Sequence, residues 1–207
     1  KSTLITTLAG QPRVIVSEVP GTTRDSVDVR FDREGHAFLV IDTAGVRKKA
    51  KITRDDLEFY AFHRAQRSIR RADVVFMLID ATVEMGDVDQ KLAAYISAEF
   101  KPCVLVINKW DLVEGKTNAE KYEDYIGDVL PQLDYAPIAF ISAKRKQNIS
   151  ELIHLAQVMH GQAATRLPTS QLNQAVEEIL ALRGPSSPTT LNEGRLADTK
   201  IAVERER

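Results

Sequence analysis

Four short apolar runs, each stopping at a polar or glycine-bearing turn, set the tightest limit on what this chain can fold into. They are FLVIDTAG (38–45), VVFMLIDAT (74–82), CVLVINKWD (103–111) and IAFISAK (138–144). A strand that is apolar at nearly every position needs cover on both faces, so these runs read as strands of a buried sheet, not as half-exposed hairpins. Helical patterns fill the intervals at about 55–71, 89–100 and 119–130, and another follows at about 149–160. Alternating strands and helices predict an α/β fold with an open, mostly parallel sheet and helices on both faces. VDVRFD and HAFLVID, joined by a turn at 33–35, read as a hairpin that would add one antiparallel pair at the sheet edge.

Composition narrows the class further. At 207 residues, 43% apolar and 28% charged, the chain has the makeup of one ordinary globular domain with a small appendage. No apolar run approaches the roughly 18 residues of a spanning helix, and no basic-plus-apolar leader stands at the start, so the expectation is a cytoplasmic protein without a membrane partner. The single cysteine, Cys103, excludes an intramolecular disulfide and reads as a buried reduced thiol. A net charge of −1 gives no reason to invoke nucleic acid, DNA included. Basic residues do cluster at 47–54, at Arg64, Arg67, Arg70 and Arg71, and at 144–146. Those clusters read first as solvated surface, with a phosphate- or RNA-facing role as the alternative. Residues 161–169 read as a linker. A helix over 170–182 follows, with Leu172, Val176, Ile179 and Leu180 on one face, before RGPSSPTT (183–190) breaks regular structure. The predicted division is 1–163 and 164–207, and the last 17 residues are too few and too polar to form a core.

The chemistry-bearing segments follow the strands. Asp111 of NKWD can accept two hydrogen bonds from the ring N–H and exocyclic amine of guanine, a donor pair that adenine lacks. Asn108 could hold neighbouring loops or the base, and the stem of Lys109 could lie over the ring. Trp110 reads as packing support. In DTAG, Asp42 would hold the water shell of Mg²⁺, and Gly45 would bring its backbone N–H to a terminal phosphate with no Cβ in the way. In the polar loop PGTTRD, Thr23 beside Thr22 could offer its hydroxyl to the metal and its N–H to a γ-phosphate. In SAK, the Ala143 amide could reach the guanine O6. The opening Lys1, Ser2 and Thr3 match the last part of a phosphate-binding loop, G-x-x-x-x-G-K-[ST]. The expectation is that the glycines and the strand before them are missing from this chain, which would leave the sheet short of an interior member. No one of these strings is specific alone. Their order along the chain, each at the ligand-facing edge of the sheet, is specific.

With KSTL, SEVPGTTRDSVD, IDTAGVRKK, RSIRRADVV and VINKWDL in this order, the chain resembles the translation-factor-class GTPases of the TrmE–Era–EngA/Der group. The resemblance covers about 1–185 and is strongest to the second GTPase domain of the EngA/Der family, where a KH-like domain follows; TSQLNQAVEEIL is similar to the entry into that domain. The closing LNEGRLADTKIAVERER departs from the pattern. The resemblance implies a P-loop GTPase domain that binds GTP or GDP with Mg²⁺ and hydrolyses GTP to GDP and phosphate. Lys1 would reach the β- and γ-phosphates, and Ser2 and Thr23 would ligate the metal. Asp42, Thr43, Ala44, Gly45 and Val46 would begin switch II. Asn108, Lys109 and Asp111 would read guanine, supported by Ser142, Ala143 and Lys144. Val46 stands where many small GTPases carry a catalytic glutamine, so water activation would come from elsewhere. In relatives a potassium ion contributes, held by an asparagine that would lie upstream of Lys1. The implied partners are a ribosomal subunit precursor and its rRNA, in large-subunit assembly. Three rivals stand beside this reading: an Era-like role in small-subunit maturation, an ATP-binding P-loop enzyme, and an RNA- or ribosome-binding module independent of nucleotide.

Overall fold

The structure, a computed structural model, describes residues 2–9, 14–15, 28–33, 35–41 and 54–183. The chain divides into two compact units, Lys1–Ala164 and Thr165–Arg207.

In the first unit the segment CVLVIN forms β5 (Cys103–Asn108), buried at every position. It pairs in parallel with β4 (Val75–Asp80) on one side and β6 (Ile138–Ile141) on the other. The two connections are α3 (Asp87–Ala98) and α4 (Ala119–Val129), as parallel strands require a crossover. Side chains alternate across the sheet. Met77, Ile79, Leu105 and Ile107 point into one core with Ala93 and Ile96 of α3 and Tyr122 and Ile126 of α4. Val104, Val106 and Ile141 point into a second, with Leu4 and Leu8 of α1 (Ser2–Ala9) and Leu152 and Ile153 of α5 (Ile149–Ala163). Each such side chain taken fully from water contributes about 1.5–3 kcal/mol before entropy is charged. The uninterrupted apolar run is therefore the direct consequence of a strand covered twice.

The predicted hairpin forms. β2 (Val29–Arg33) pairs antiparallel with β3 (His36–Val40), from Val29 opposite Val40 to Arg33 opposite His36. Gly35 supplies the positive φ of +80° at the turn, and Phe31 stacks on the facing Phe38 with centroids 5.1 Å apart. The structure differs from expectation in where the hairpin sits. Together with β1 (Val14–Ile15) it makes a three-stranded antiparallel sheet of its own, not an edge of the parallel sheet. Among the described residues no ladder joins β3 to β4. Phe31 ties the hairpin to the rest by entering the core of Leu4, Leu8 and Val104.

Helix ends move for identifiable reasons. α2 (Arg54–Arg71) fits its pattern and closes on the basic pair Arg70 and Arg71, placed where the carbonyl end of the dipole favours cations. α3 begins two residues earlier than its apolar pattern, because the Asp89 carboxylate accepts the Gly86 N–H at 2.9 Å and caps the start. It stops short of Phe100, which adopts φ 52°. The Asn118 side chain accepts the Lys121 N–H at 3.0 Å and starts α4. α5 runs through Gly161 to Ala163, so the non-helical part of the expected linker shrinks to 164–168. In the second unit, α6 (Thr169–Arg183) matches the predicted periodic stretch, with Val176, Ile179 and Leu180 exposed. Residues 184–207, the terminal segment included, lie outside the described residues. Among the described residues no helix is long and apolar enough to cross a membrane.

Candidate functional site

The carboxyl ends of the parallel strands form the candidate site. Asp80, Asn108 and Ile141 end β4, β5 and β6 in register, so the residues that follow them emerge side by side. This is the end of an open α/β sheet where ligands bind.

Asn108 holds this end together. It is buried at 8% exposure, and its Oδ1 accepts the Ala143 N–H at 3.1 Å. Its main-chain carbonyl accepts the Ala81 N–H at 2.9 Å. One residue thus fastens the turns after all three strands, as the loop-holding role expected of it requires. The Ala143 amide, expected to face a guanine O6, is engaged with Asn108.

The loop after β6 is tied on itself. Ser142 is fully buried; its Oγ accepts the Arg145 N–H at 3.2 Å, and its main chain exchanges hydrogen bonds with Gln147. Lys146 and Asn148 take left-handed φ values of 59° and 57°, and the Asn148 amide donates to the Phe140 carbonyl at 2.8 Å. Lys144 stands exposed on this loop. From α1, the Thr7 hydroxyl donates to the Ala143 carbonyl at 2.9 Å. The segment that opens KST is therefore bonded to the SAK turn across 136 residues.

Lys109 leaves β5 with φ 65°, a left-handed conformation uncommon outside glycine and costly for a side chain of this size. This bend starts a short 3-10 turn at Trp110–Leu112. The ammonium of Lys109 lies 2.5 Å from Asp80 Oδ2, while the Thr82 N–H and hydroxyl reach Asp80 Oδ1 at 3.0 and 2.7 Å. Partial burial pushes the Asp80 carboxyl up, but the Lys109 ammonium and the two Thr82 hydrogen bonds outweigh it and hold the carboxyl below its ordinary value. Trp110 is buried, edge-on to Tyr122 at 5.5 Å and tilted over Phe140 at 4.3 Å, which is the packing role expected of it. The Asp111 side chain is only 6% exposed, and Arg145 Nε lies 3.2 Å from its Oδ2.

The structure thus brings together Asn108, Lys109, Asp111, Ser142, Ala143 and Lys144. Thr3 is exposed on α1 near its start. Lys1, Thr22, Thr23, Asp42, Thr43, Ala44, Gly45 and Val46 lie outside the described residues, and of Ser2 only the helical backbone is described. Sequence reasoning missed Asp80, Thr7 and Arg145 as neighbours of the site. Asp80 carried a signal, since it ends an apolar run as Asn108 does. Arg145 was visible only as one member of a basic cluster.

A family model described as 50S ribosome-binding GTPase matches residues 1–109, more than half of the chain. The chain belongs to that GTPase family. Among curated members it is 46% identical over 186 residues to GTPase Der of Rhodopirellula baltica, a match covering 90% of this chain and 41% of that protein. With GTPase Der of Geobacillus thermodenitrificans the identity is 43% over 210 residues, covering 99% and 47% respectively. The chain therefore spans less than half the length of these relatives. Among solved structures it is similar to Era in complex with MgGDPNP and nucleotides 1506–1542 of 16S ribosomal RNA. That similarity has a TM-score of 0.57 at 29% identity, covering 81% of this chain and 54% of that one. Aquifex aeolicus Era bound to GDP.AlF4- aligns with a TM-score of 0.55 at 26% identity, with the same two coverages. The P-loop GTPase fold of the family is the α/β class expected from the alternating strands and helices.

Proposed function

We propose that the chain carries a GTPase unit of the Der type, a GTP-binding and GTP-hydrolysing switch acting in assembly of the large ribosomal subunit. The observation that carries this reading is the hydrogen bond from Ala143 to Asn108, which joins the NKWD and SAK turns at the ligand end of the parallel sheet. A buried acceptor such as Asp111 suits a ring that offers two N–H donors, and adenine has no such pair. The stem of Lys109 would cover the ring. In this reading residues 1–163 handle the nucleotide and 164–207 lead into a KH-like segment.

The oxygen donors Ser2, Thr23 and Asp42, the last through water, suit a hard Mg²⁺ ion. When bound, that ion neutralises charge developing on the β- and γ-phosphate oxygens. Lys1 would contact the same phosphates, and the Gly45 amide would meet the γ-phosphate. Water attacks the γ-phosphorus in line while the bond to the β-phosphate oxygen breaks, so the residues mainly position and stabilise. Thr22 and Thr23 would order with GTP and loosen with GDP, changing affinity for a ribosomal partner. An Era-like role with the small subunit is the second reading, favoured by the likeness to Era bound to 16S ribosomal RNA. Phosphate release from GTP, followed by co-sedimentation with separated ribosomal subunits in GTP and in GDP, tests both. Release of phosphate with GTP-dependent retention on the large subunit is expected. Retention on the small subunit alone would favour the second reading, and RNA retention indifferent to nucleotide would contradict the switch.

A further inference from the structure

The charged groups of the proposed guanine site are already partnered within the chain. Lys109 is held by Asp80, and Asp111 is held by Arg145. The two pairs differ in kind. Lys109 and Asp80 sit on adjacent strand ends, and the Asp80 carboxylate is further fixed by Thr82. Arg145 comes from another loop, and its Nε forms an ion pair with Asp111 Oδ2 at 3.2 Å. That nitrogen is a planar N–H donor, the same chemical type as the ring N–H and exocyclic amine of guanine.

We propose that Arg145 is a counter-ion that stands in for guanine at Asp111 and must be displaced when the base enters, so that it lowers affinity and blunts base selectivity. The inference rests on the proposed guanine reading and goes beyond it by assigning a role to Arg145. A carboxylate only 6% exposed is costly to leave without a donor, so a stand-in stabilises the empty site. The Arg145 side chain is 62% exposed, so water takes up the released guanidinium at small cost. Its backbone stays in place meanwhile, because its N–H is donated to Ser142 Oγ. Only the side chain has to swing.

Removing the stand-in raises the energy of the empty site and leaves the guanine-occupied site unchanged, so guanine binding tightens. Guanine uses both carboxylate oxygens and displaces Arg145. Hypoxanthine has no exocyclic amine, needs one oxygen and leaves the other to Arg145. The test measures affinities of fluorescent GDP and IDP derivatives for the intact protein, for Arg145→Ala and for Arg145→Lys. Arg145→Ala is expected to bind GDP about two- to fivefold more tightly, the range of a largely exposed ion pair. IDP should gain less, so selectivity for GDP over IDP rises, with Arg145→Lys in between. Weaker GDP binding by Arg145→Ala would overturn the proposal and make Arg145 a support for Asp111. Equal gains for GDP and IDP would overturn it as well, since the effect would then be one of general charge. Wild-type protein without preference for GDP over ADP would instead overturn the guanine reading, and the proposal with it.

Discussion

Asn108 ends a fully buried strand with a polar side chain, and the cost of burying that side chain is met by the amide of Ala143. Asn108→Ala leaves the Ala143 N–H without its partner in a buried setting, so a loss of about 1–3 kcal/mol is expected in urea unfolding. The same variant should weaken nucleotide binding, because the SAK turn is no longer fixed beside NKWD. A nucleotide affinity that drops with no change in urea midpoint would assign Asn108 to the ligand and not to the loops. Cys103, at the other end of β5, is a separate test of burial. Desolvation pushes its thiol from 9.0 up to about 12. A folded value above the unfolded one means that the unfolded chain sheds the proton first as pH rises. Stability from this group is therefore intact below about pH 9 and lost between pH 9 and about 12. A thiol-reactive chromophore should leave Cys103 unmodified in the native protein at pH 8 and label it fully in denaturant.

At the scale of elements, β5 with its two covering layers carries the fold. Leu105→Ala removes a side chain exposed at 1% from the core shared with α3 and α4, and about 2–5 kcal/mol of stability should go with it in chemical denaturation. Leu180→Ala on the exposed face of α6 should change the same midpoint by less than about 0.5 kcal/mol. Three of the four strand segments were legible because CVLVIN and its neighbours in β4 and β6 are apolar for a reason that acts locally, namely cover on both faces. The FLV of FLVIDTAG, expected to be covered likewise, instead enters β3 of the hairpin with Leu39 half exposed. The hairpin was legible because Gly35 marks its turn. Other features depend on partners distant in the chain. Nothing in IAFISAK says that the Ala143 amide turns to Asn108, because that bond joins residues from two strands. Arg145 reads as surface charge until the loop that carries it closes through Ser142 and Gln147. The extra turn of α5 through Gly161 was hidden by a residue that usually ends helices, and the separate antiparallel sheet by a backbone ladder that composition does not encode.

For the molecule as a whole, membership of the 50S ribosome-binding GTPase family and the geometry at one end of the sheet point the same way. The two turns proposed to read guanine are fastened by Asn108, and α1, which begins with the Ser2 of KST, is fastened to the second of them through Thr7. Asp111 is the group proposed to choose guanine. Competition of GTP and ATP for a fluorescent guanine nucleotide, run on the protein and on Asp111→Ala, measures that choice directly. GTP should displace the probe far more effectively than ATP. Asp111→Ala should lose about 2–5 kcal/mol of GTP affinity, with ATP little changed, as expected when a charge-assisted two-bond contact is removed. Unchanged GTP affinity in Asp111→Ala, or equal displacement of the probe by ATP, would contradict the assignment.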